Sequence, residues 1–336
     1  MGLKGRQALF FLCLAALTAV VLMVVQRSFR SVSRRDPPIP TLWIFYARAT
    51  GSKEVLFGRH YSHRGHPLGR AIRVGTLGMV EQVEVAQAGQ PGWEWVTLGH
   101  QVAGIYHGAV ARRLSAPPGQ TVLAIALWKL KLYAVTEPSS GGPVGVDQWS
   151  GHHWRLIYSD LPQGITSLVG GSGHSLWAFV AFPHEARLIA IRGPGTGITT
   201  PHFAPQGTVA FQKSHPIIPF STGARTFGYW EGSSHLFSSV YQAAISVADT
   251  TPVWGLGVKG MIPFRNGRFR LGSTVAWPSR QVTTPSALAD GSSAWIAVFD
   301  GFSQGTWFNV ATGQFGSSFQ IKTPWWAVVR AAALGS

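Results

Sequence analysis

Ser150-Gly151-His152-His153-Trp154 and Asn266-Gly267-Arg268-Phe269 each set a turn glycine shortly ahead of a large aromatic. Working outward from these two stretches, the aromatics recur. Trp95, Trp154, Phe211, Phe269 and Trp326 are separated by 59, 57, 58 and 57 residues. A second series, Leu123, Trp177, Phe237 and Trp295, is separated by 54, 60 and 58. Ser175-Leu176-Trp177, His235-Leu236-Phe237 and Ala294-Trp295 each follow a Gly/Ser turn. Between these anchors, from Thr41 onward, lie short apolar runs such as Leu42-Trp43-Ile44-Phe45-Tyr46 and Thr121-Val122-Leu123-Ala124-Ile125, bounded by Gly, Pro, Ser and Asn. Runs of that length between turn residues are strands, and no long stretch of helical period competes with them. Self-similar strand groups mark propeller blades. The 300 residues from Pro37 to Ser336 hold about five such units, with six or seven also compatible. The fold class read here is therefore an all-β propeller.

A blade is apolar on both faces and must be covered by a neighbour on each side, so the ring is stable only when closed. An aromatic at a fixed place in each blade fills the wedge between sheets. This accounts for most of the 14 tryptophans without a ligand. Closure is expected through the strand near Trp43 or the one near Trp326, since joining the two termini in one sheet removes exposed edges.

Asp147-Gln148-Trp149-Ser150-Gly151-His152-His153-Trp154 resembles the Asp-box of the sialidase-type (BNR) propellers. Its glycine and final tryptophan match, while Trp149 stands at the aspartate position and Asp147 at the serine position. The resemblance implies a hairpin and a blade. Sialidase activity does not come with it, because neither an arginine triad nor a Tyr-Glu pair can be placed on matching motifs.

Composition agrees with a β architecture. Gly and Pro, 40 and 21 residues, make up about 18% of the chain and argue against long helices. Charged residues are only 12% and hydrophobic ones 46%, which excludes intrinsic disorder. Lys and Arg outnumber Asp and Glu by 28 to 13, and a net charge of +15 favours anionic partners. The single cysteine, Cys13, lies in the N-terminal apolar run, so the globular part has no disulfide, zinc knuckle or cysteine nucleophile.

That run, Ala8 to Val25, is 18 residues without a charge. As a helix it would span about 27 Å, close to a bilayer core of roughly 30 Å. No small-residue cleavage site follows it, and Phe10-Phe11-Leu12 before Cys13 lacks the small residues of a lipoprotein signal. Residues 1–36 therefore read as an uncleaved signal anchor with its linker, and 37–336 as the propeller. Four arginines after the span against Lys4 and Arg6 before it favour a cytoplasmic domain. A long domain behind one N-terminal span is nevertheless commonly translocated, and we place the domain outside the cytoplasm at the cell membrane.

Candidate chemistry is sparse. Arg59, His60, His63, Arg64, Arg70 and Arg73 fall in fifteen residues without a carboxylate. Arginine offers a planar fork to phosphate or carboxylate, so these six read as an anion-binding patch. On a strand His60 and His66 would share a face while His63 points away, and the flanking arginines repel a cation, so no metal site is expected. Glu231, Asp290 and Asp300 are the acids a glycosidase would need to converge. Trp128 and Trp325-Trp326 are candidates for a sugar-binding shelf. Gly170-Gly171-Ser172-Gly173 and Gly193-Pro194-Gly195-Thr196-Gly197 lack the lysine and helix of a phosphate loop and read as turns. Together these features predict a membrane-anchored binding or scaffolding propeller without a cofactor. Its partner would be an anionic polymer, lipid or protein rather than nucleic acid. A carbohydrate-active enzyme or lectin on the same fold is the alternative.

Overall fold

The structure is a computed structural model. It describes residues 37–335 apart from the segments 79–82, 88–92, 172–174, 184, 194–196, 201–203, 206–208, 213–214, 222–226, 232–234, 240–243, 249, 258, 279–284, 289–293, 301–302 and 325–326. The apolar run Ala8 to Val25 lies outside these residues. Among the described residues no helix is long and apolar enough to cross a membrane.

The described strands form seven antiparallel sheets, five of four strands and two of five, each built on a path of four. Blade 2 comprises Val85–Gln87, Trp93–Thr97, Gln101–Tyr106 and Ala109–Ser115; blade 3 comprises Gln120–Trp128, Lys131–Pro138, Val144–Trp149 and Trp154–Leu161. Blade 4 runs Ile165–Gly171, Ser175–Ala181, Ala186–Arg192 and Ile198–Thr200. Blade 5 opens with two short segments, Ala204–Pro205 and Ala210–Gln212, followed by His215–Ser221, Phe227–Glu231 and His235–Ser239. Blade 6 is Ala244–Ala248, Trp254–Gly257, Gly260–Arg265 and Arg268–Phe269, with Val275–Ala276 paired to its third strand. Blade 7 is Pro285–Leu288, Trp295–Asp300, Gln304–Asn309 and Gln314–Gln320. Blade 1 is composite. Its second to fourth strands are Thr41–Thr50, Lys53–Tyr61 and Ile72–Leu77, and its first is the C-terminal strand Val328–Gly335.

That closure joins the two ends of the domain, as the sequence leads one to expect. Thr41 pairs with Gly335, Trp43 with Ala333 and Ala47 with Val328. A bulge between Phe45 and Tyr46 leaves Arg330 without a partner in the ladder, and its guanidinium reaches both carboxylate oxygens of Glu54 at 2.7 and 2.6 Å. The core shows why the ring must close. Along Thr41–Thr50, Trp43, Phe45 and Ala47 pack against Val96, Leu98 and Ile105 of blade 2. The alternate residues Leu42, Ile44 and Tyr46 pack against Trp295, Trp307 and Phe319 of blade 7. A strand with period two and two apolar faces can bury both only between two neighbours. Seven such clusters link the seven sheets in a circle.

The unit is therefore shorter, and the blades more numerous, than the repeat of about 58 residues and the count of about five expected from the aromatics. First strands begin near residues 85, 120, 165, 204, 244, 285 and 328, about forty apart. Trp154 and Phe269 do hold equivalent places, each in the fourth strand after a turn, but they are three blades apart. Asn266 and Gly267, with φ of +52° and +73°, make the two-residue hairpin turn whose left-handed residues match strand twist. Tryptophan indoles also stitch blades together. Trp154 Nε1 donates to the Ser115 carbonyl at 2.7 Å, Trp254 Nε1 to Val310 at 3.0 Å and Trp307 Nε1 to His63 at 2.7 Å.

Candidate functional site

The six cationic candidates surround one connection, residues 62–71, between the third and fourth strands of blade 1. Arg59 and His60 end the third strand, His63, Arg64 and Arg70 lie in the connection, and Arg73 is exposed on the fourth strand. The connection folds on itself: Ser62 N–H donates to His66 O at 2.8 Å, Gly65 N–H to Ser62 O at 2.9 Å and Leu68 N–H to His60 O at 2.9 Å. It is also clamped to blade 7, through the Trp307 indole on the His63 carbonyl and the Tyr61 hydroxyl on the Lys322 carbonyl.

Gly65 completes the clamp. Its φ of +81° is in the left-handed region, and a Cβ there would collide with the backbone carbonyl of Gln320. Gly65→Ala should therefore cost more than about 2 kcal/mol, combining backbone strain with the clash. A thermal melt reads the loss directly. A melt matching the parent would show that the loop does not need blade 7.

The structure does not gather the six cations into one patch. Arg59 serves the loop itself: its Nε donates to the Gly69 carbonyl at 3.1 Å and its guanidinium lies 5.9 Å from the Tyr61 ring centroid. His60 is built into blade 1, its ring stacked on Trp43 at 4.9 Å and 9°, its Nε2 2.6 Å from Thr41 Oγ1. Burial pushes its pKa below the ordinary 6.5, so it does not add charge on mild acidification as an exposed histidine would. Arg64 and Arg70 enter two separate cavities on either side of blade 1. Arg70, with Trp43, His60, Glu94 and His107, lines a cleft of about 480 Å³ toward blade 2. Arg64, with Trp277, Thr306, Ser318 and Gln320, lines a cavity of about 420 Å³ against blade 7.

Glu94 was not among the sequence candidates. It sits in Trp93-Glu94-Trp95-Val96 on the second strand of blade 2, facing the same side as buried Val96, and is only 4% exposed. Among the described residues its carboxylate has no ion-pair partner, and burial pushes its pKa up to about 7. A lone acid between two tryptophans in a strand was the available signal.

The Asp-box-like stretch is structural. Asp147 is buried and accepts a hydrogen bond from Thr136 Oγ1 at 2.6 Å. Burial raises its pKa and the Thr136 bond lowers it in part. The turn at Ser150–His153 then presents the Gly151 carbonyl to Arg112 of blade 2 at 3.1 Å. Trp128, one candidate for a sugar shelf, meets Tyr133 edge-on at 6.0 Å and is covered by the Lys129 ammonium at 4.6 Å. Trp325 and Trp326 lie outside the described residues.

Of the acids of the enzyme alternative, the topology sets Glu231 and Asp300 apart. Glu231 closes the third strand of blade 5 at its turn to the fourth, whereas Asp300 closes the second strand of blade 7 at its turn to the third. In antiparallel blades those turns lie at opposite ends. Asp290 lies outside the described residues. Among the described residues, no group of three His, Cys, Asp or Glu is placed to hold a metal ion.

No protein-family model matches the chain, and no curated protein matches it in sequence. Solved structures do resemble it. Raptor of Chaetomium thermophilum aligns with a TM-score of 0.50 at 9% identity, over 73% of this chain and 25% of that one. AztD of Citrobacter koseri aligns at 0.45 and 12% identity, over 85% and 84% of the two chains. BamB of Moraxella catarrhalis aligns at 0.47 and 11% identity, over 82% and 87%. At such identities the likeness concerns the fold alone.

Proposed function

We propose that this chain is a binding or scaffolding propeller, held to the cell membrane by the segment at residues 8–25 with its domain outside the cytoplasm. Its anionic partner engages the loop of blade 1. The observation that carries the reading is the placement of Arg64 and Arg70. One rigid loop, clamped to blade 7, feeds a guanidinium into a cavity on each side of blade 1. Arg73, exposed on the adjoining strand, adds a further positive charge to blade 1. The 18 uncharged residues of the N-terminal run support the anchor, and the domain's length behind a single span supports translocation.

The test is binding of the full chain, in detergent micelles, to polyphosphate and to anionic vesicles. Replacing Arg64, Arg70 and Arg73 together by Ser spares Arg59, which holds the loop. At roughly 1 kcal/mol per arginine the triple variant should bind on the order of 100-fold more weakly, and the wild type should weaken in high salt. The melting temperature should stay nearly constant. Equal binding by the variant would reduce these arginines to solvated surface.

A further inference from the structure

We infer that the cavity between the blade-1 loop and blade 7 is a saccharide site that takes a pyranose ring bearing a carboxylate. The inference narrows the anionic-partner reading above and rests on it for the sign of the ligand's charge.

The cavity has an apolar side. Trp277 lines it together with Val298, which pairs with Thr306 and shares its face of blade 7. The Trp277 indole N–H is already engaged by the Gly257 carbonyl at 3.0 Å, so this residue offers ring surface rather than a donor. Aromatic surface suits the C–H face of a sugar ring and has little to offer a bare inorganic anion.

The polar side is a row on one face of blade 7. Thr306 stands opposite Ser318, and two residues along Gln304 stands opposite Gln320. Because side chains alternate, these four share a face and present two hydroxyls and two amides together. Such groups donate and accept, as the hydroxyls of a sugar require. Thr306 is 8% exposed, and its hydroxyl has no hydrogen-bond partner among the described residues. An orphaned hydroxyl in a cavity wall is an expensive omission in an empty site and a natural contact in a filled one.

Charge selects the kind of sugar. Arg64 is the one charged residue described in the lining; among the described residues it meets no carboxylate. Its planar fork matches a single carboxylate. The volume of about 420 Å³ falls within the range of about 300–1,000 Å³ for small-molecule sites.

The experiment is calorimetric titration of the full chain in detergent micelles with glucuronate, galacturonate, their neutral parent hexoses and inorganic phosphate. One of the two acids should bind saturably, with its neutral parent at least about tenfold weaker and phosphate not saturating. Arg64→Gln should erase the preference for the acid while leaving the weak hexose binding. Trp277→Leu should weaken both sugars by about tenfold. Melts of both variants confirm that they are folded. Failure of both acids to bind, a preference that survives Arg64→Gln, or phosphate binding as tightly as the acid would each overturn the site. Retained binding to polyphosphate or anionic vesicles alongside those failures would leave the broader anionic-partner reading standing.

Discussion

Deleting residues 327–336 should abolish the cooperative melt of the whole domain rather than trim one edge. The segment contains Val328–Gly335, which is the innermost strand of blade 1 and pairs with Thr41 to Ala47. Its loss exposes the ladder groups of Thr41–Thr50 as an open edge at the centre of the ring. It also removes Ala333 from the blade 1–blade 2 core and Leu334 from the blade 7–blade 1 core. The Arg330 clamp on Glu54 goes with it. A propeller cannot redistribute these losses, because each blade is covered only by its two neighbours. The combined cost should exceed about 5 kcal/mol, comparable with the entire stability of many domains. Calorimetry of the truncated chain should show no sharp transition. A synthetic peptide of residues 327–336 should restore part of it. A cooperative transition at the parent temperature without the peptide would show that blade 1 stands on three strands.

How much of this was legible in the sequence depends on which aromatic is followed. The all-β class and the closure of the termini followed from apolar runs between turn residues and from the need to cover both faces of a blade. The blade count did not, for an arithmetic reason. Trp154 and Phe269 are 115 residues apart and both lie in fourth strands, three blades from each other. Trp177 and Trp295 are 118 apart, both in second strands and again three blades apart. Dividing each interval into two gives a spacing near 58, whereas the ring divides it into three. The intermediate residues Phe211 and Phe237 then fall in first and fourth strands and belong to no common position. Trp43, Trp95, Tyr133, Trp177, Trp254 and Trp295, all in second strands, carry the true repeat. They are obscured because blade 5 has Ile218 near that place.

The candidate site was legible by residue type and not by geometry. Four arginines and three histidines in fifteen residues marked the loop, but sequence proximity could not show that Arg59 is spent on Gly69 or that His60 is stacked on Trp43. Nor could it show that Arg64 faces blade 7 while Arg70 faces blade 2. Contacts within blade 1 decide the first two roles and contacts across blade boundaries the others, the latter joining residues as distant as Trp307 and His63.

Glu94 should make the domain lose stability as the pH rises from 5 to 8. The folded protein holds its proton to about pH 7, whereas the ordinary value is 4.5. Because burial raises the folded pKa of an acid here, the protonated form favours folding. Its contribution is fully present below about pH 4.5 and is lost as the pH rises through about 7. A shift of that size corresponds to at most about 3 kcal/mol, and access of water through the cleft reduces it. For a domain of this length that is a fall of up to roughly 5 °C in melting temperature. Glu84 and Asp147 are also raised by burial and push in the same direction, and His60 pushes the other way. The informative quantity is therefore the difference between wild type and Glu94→Gln, in which those three groups cancel. The variant should match the wild type near pH 5 and exceed its melting temperature near pH 8. Parallel profiles would mean that Glu94 is ionised at no cost, and that the cleft is wetter than its 4% exposure implies. The same titration governs the charge around Arg70. With Glu94 neutral the cleft toward blade 2 is more positive, so binding of an anion there should tighten on acidification in the wild type. In Glu94→Gln that pH dependence should flatten, which ties the stability profile and the binding profile to one carboxyl group.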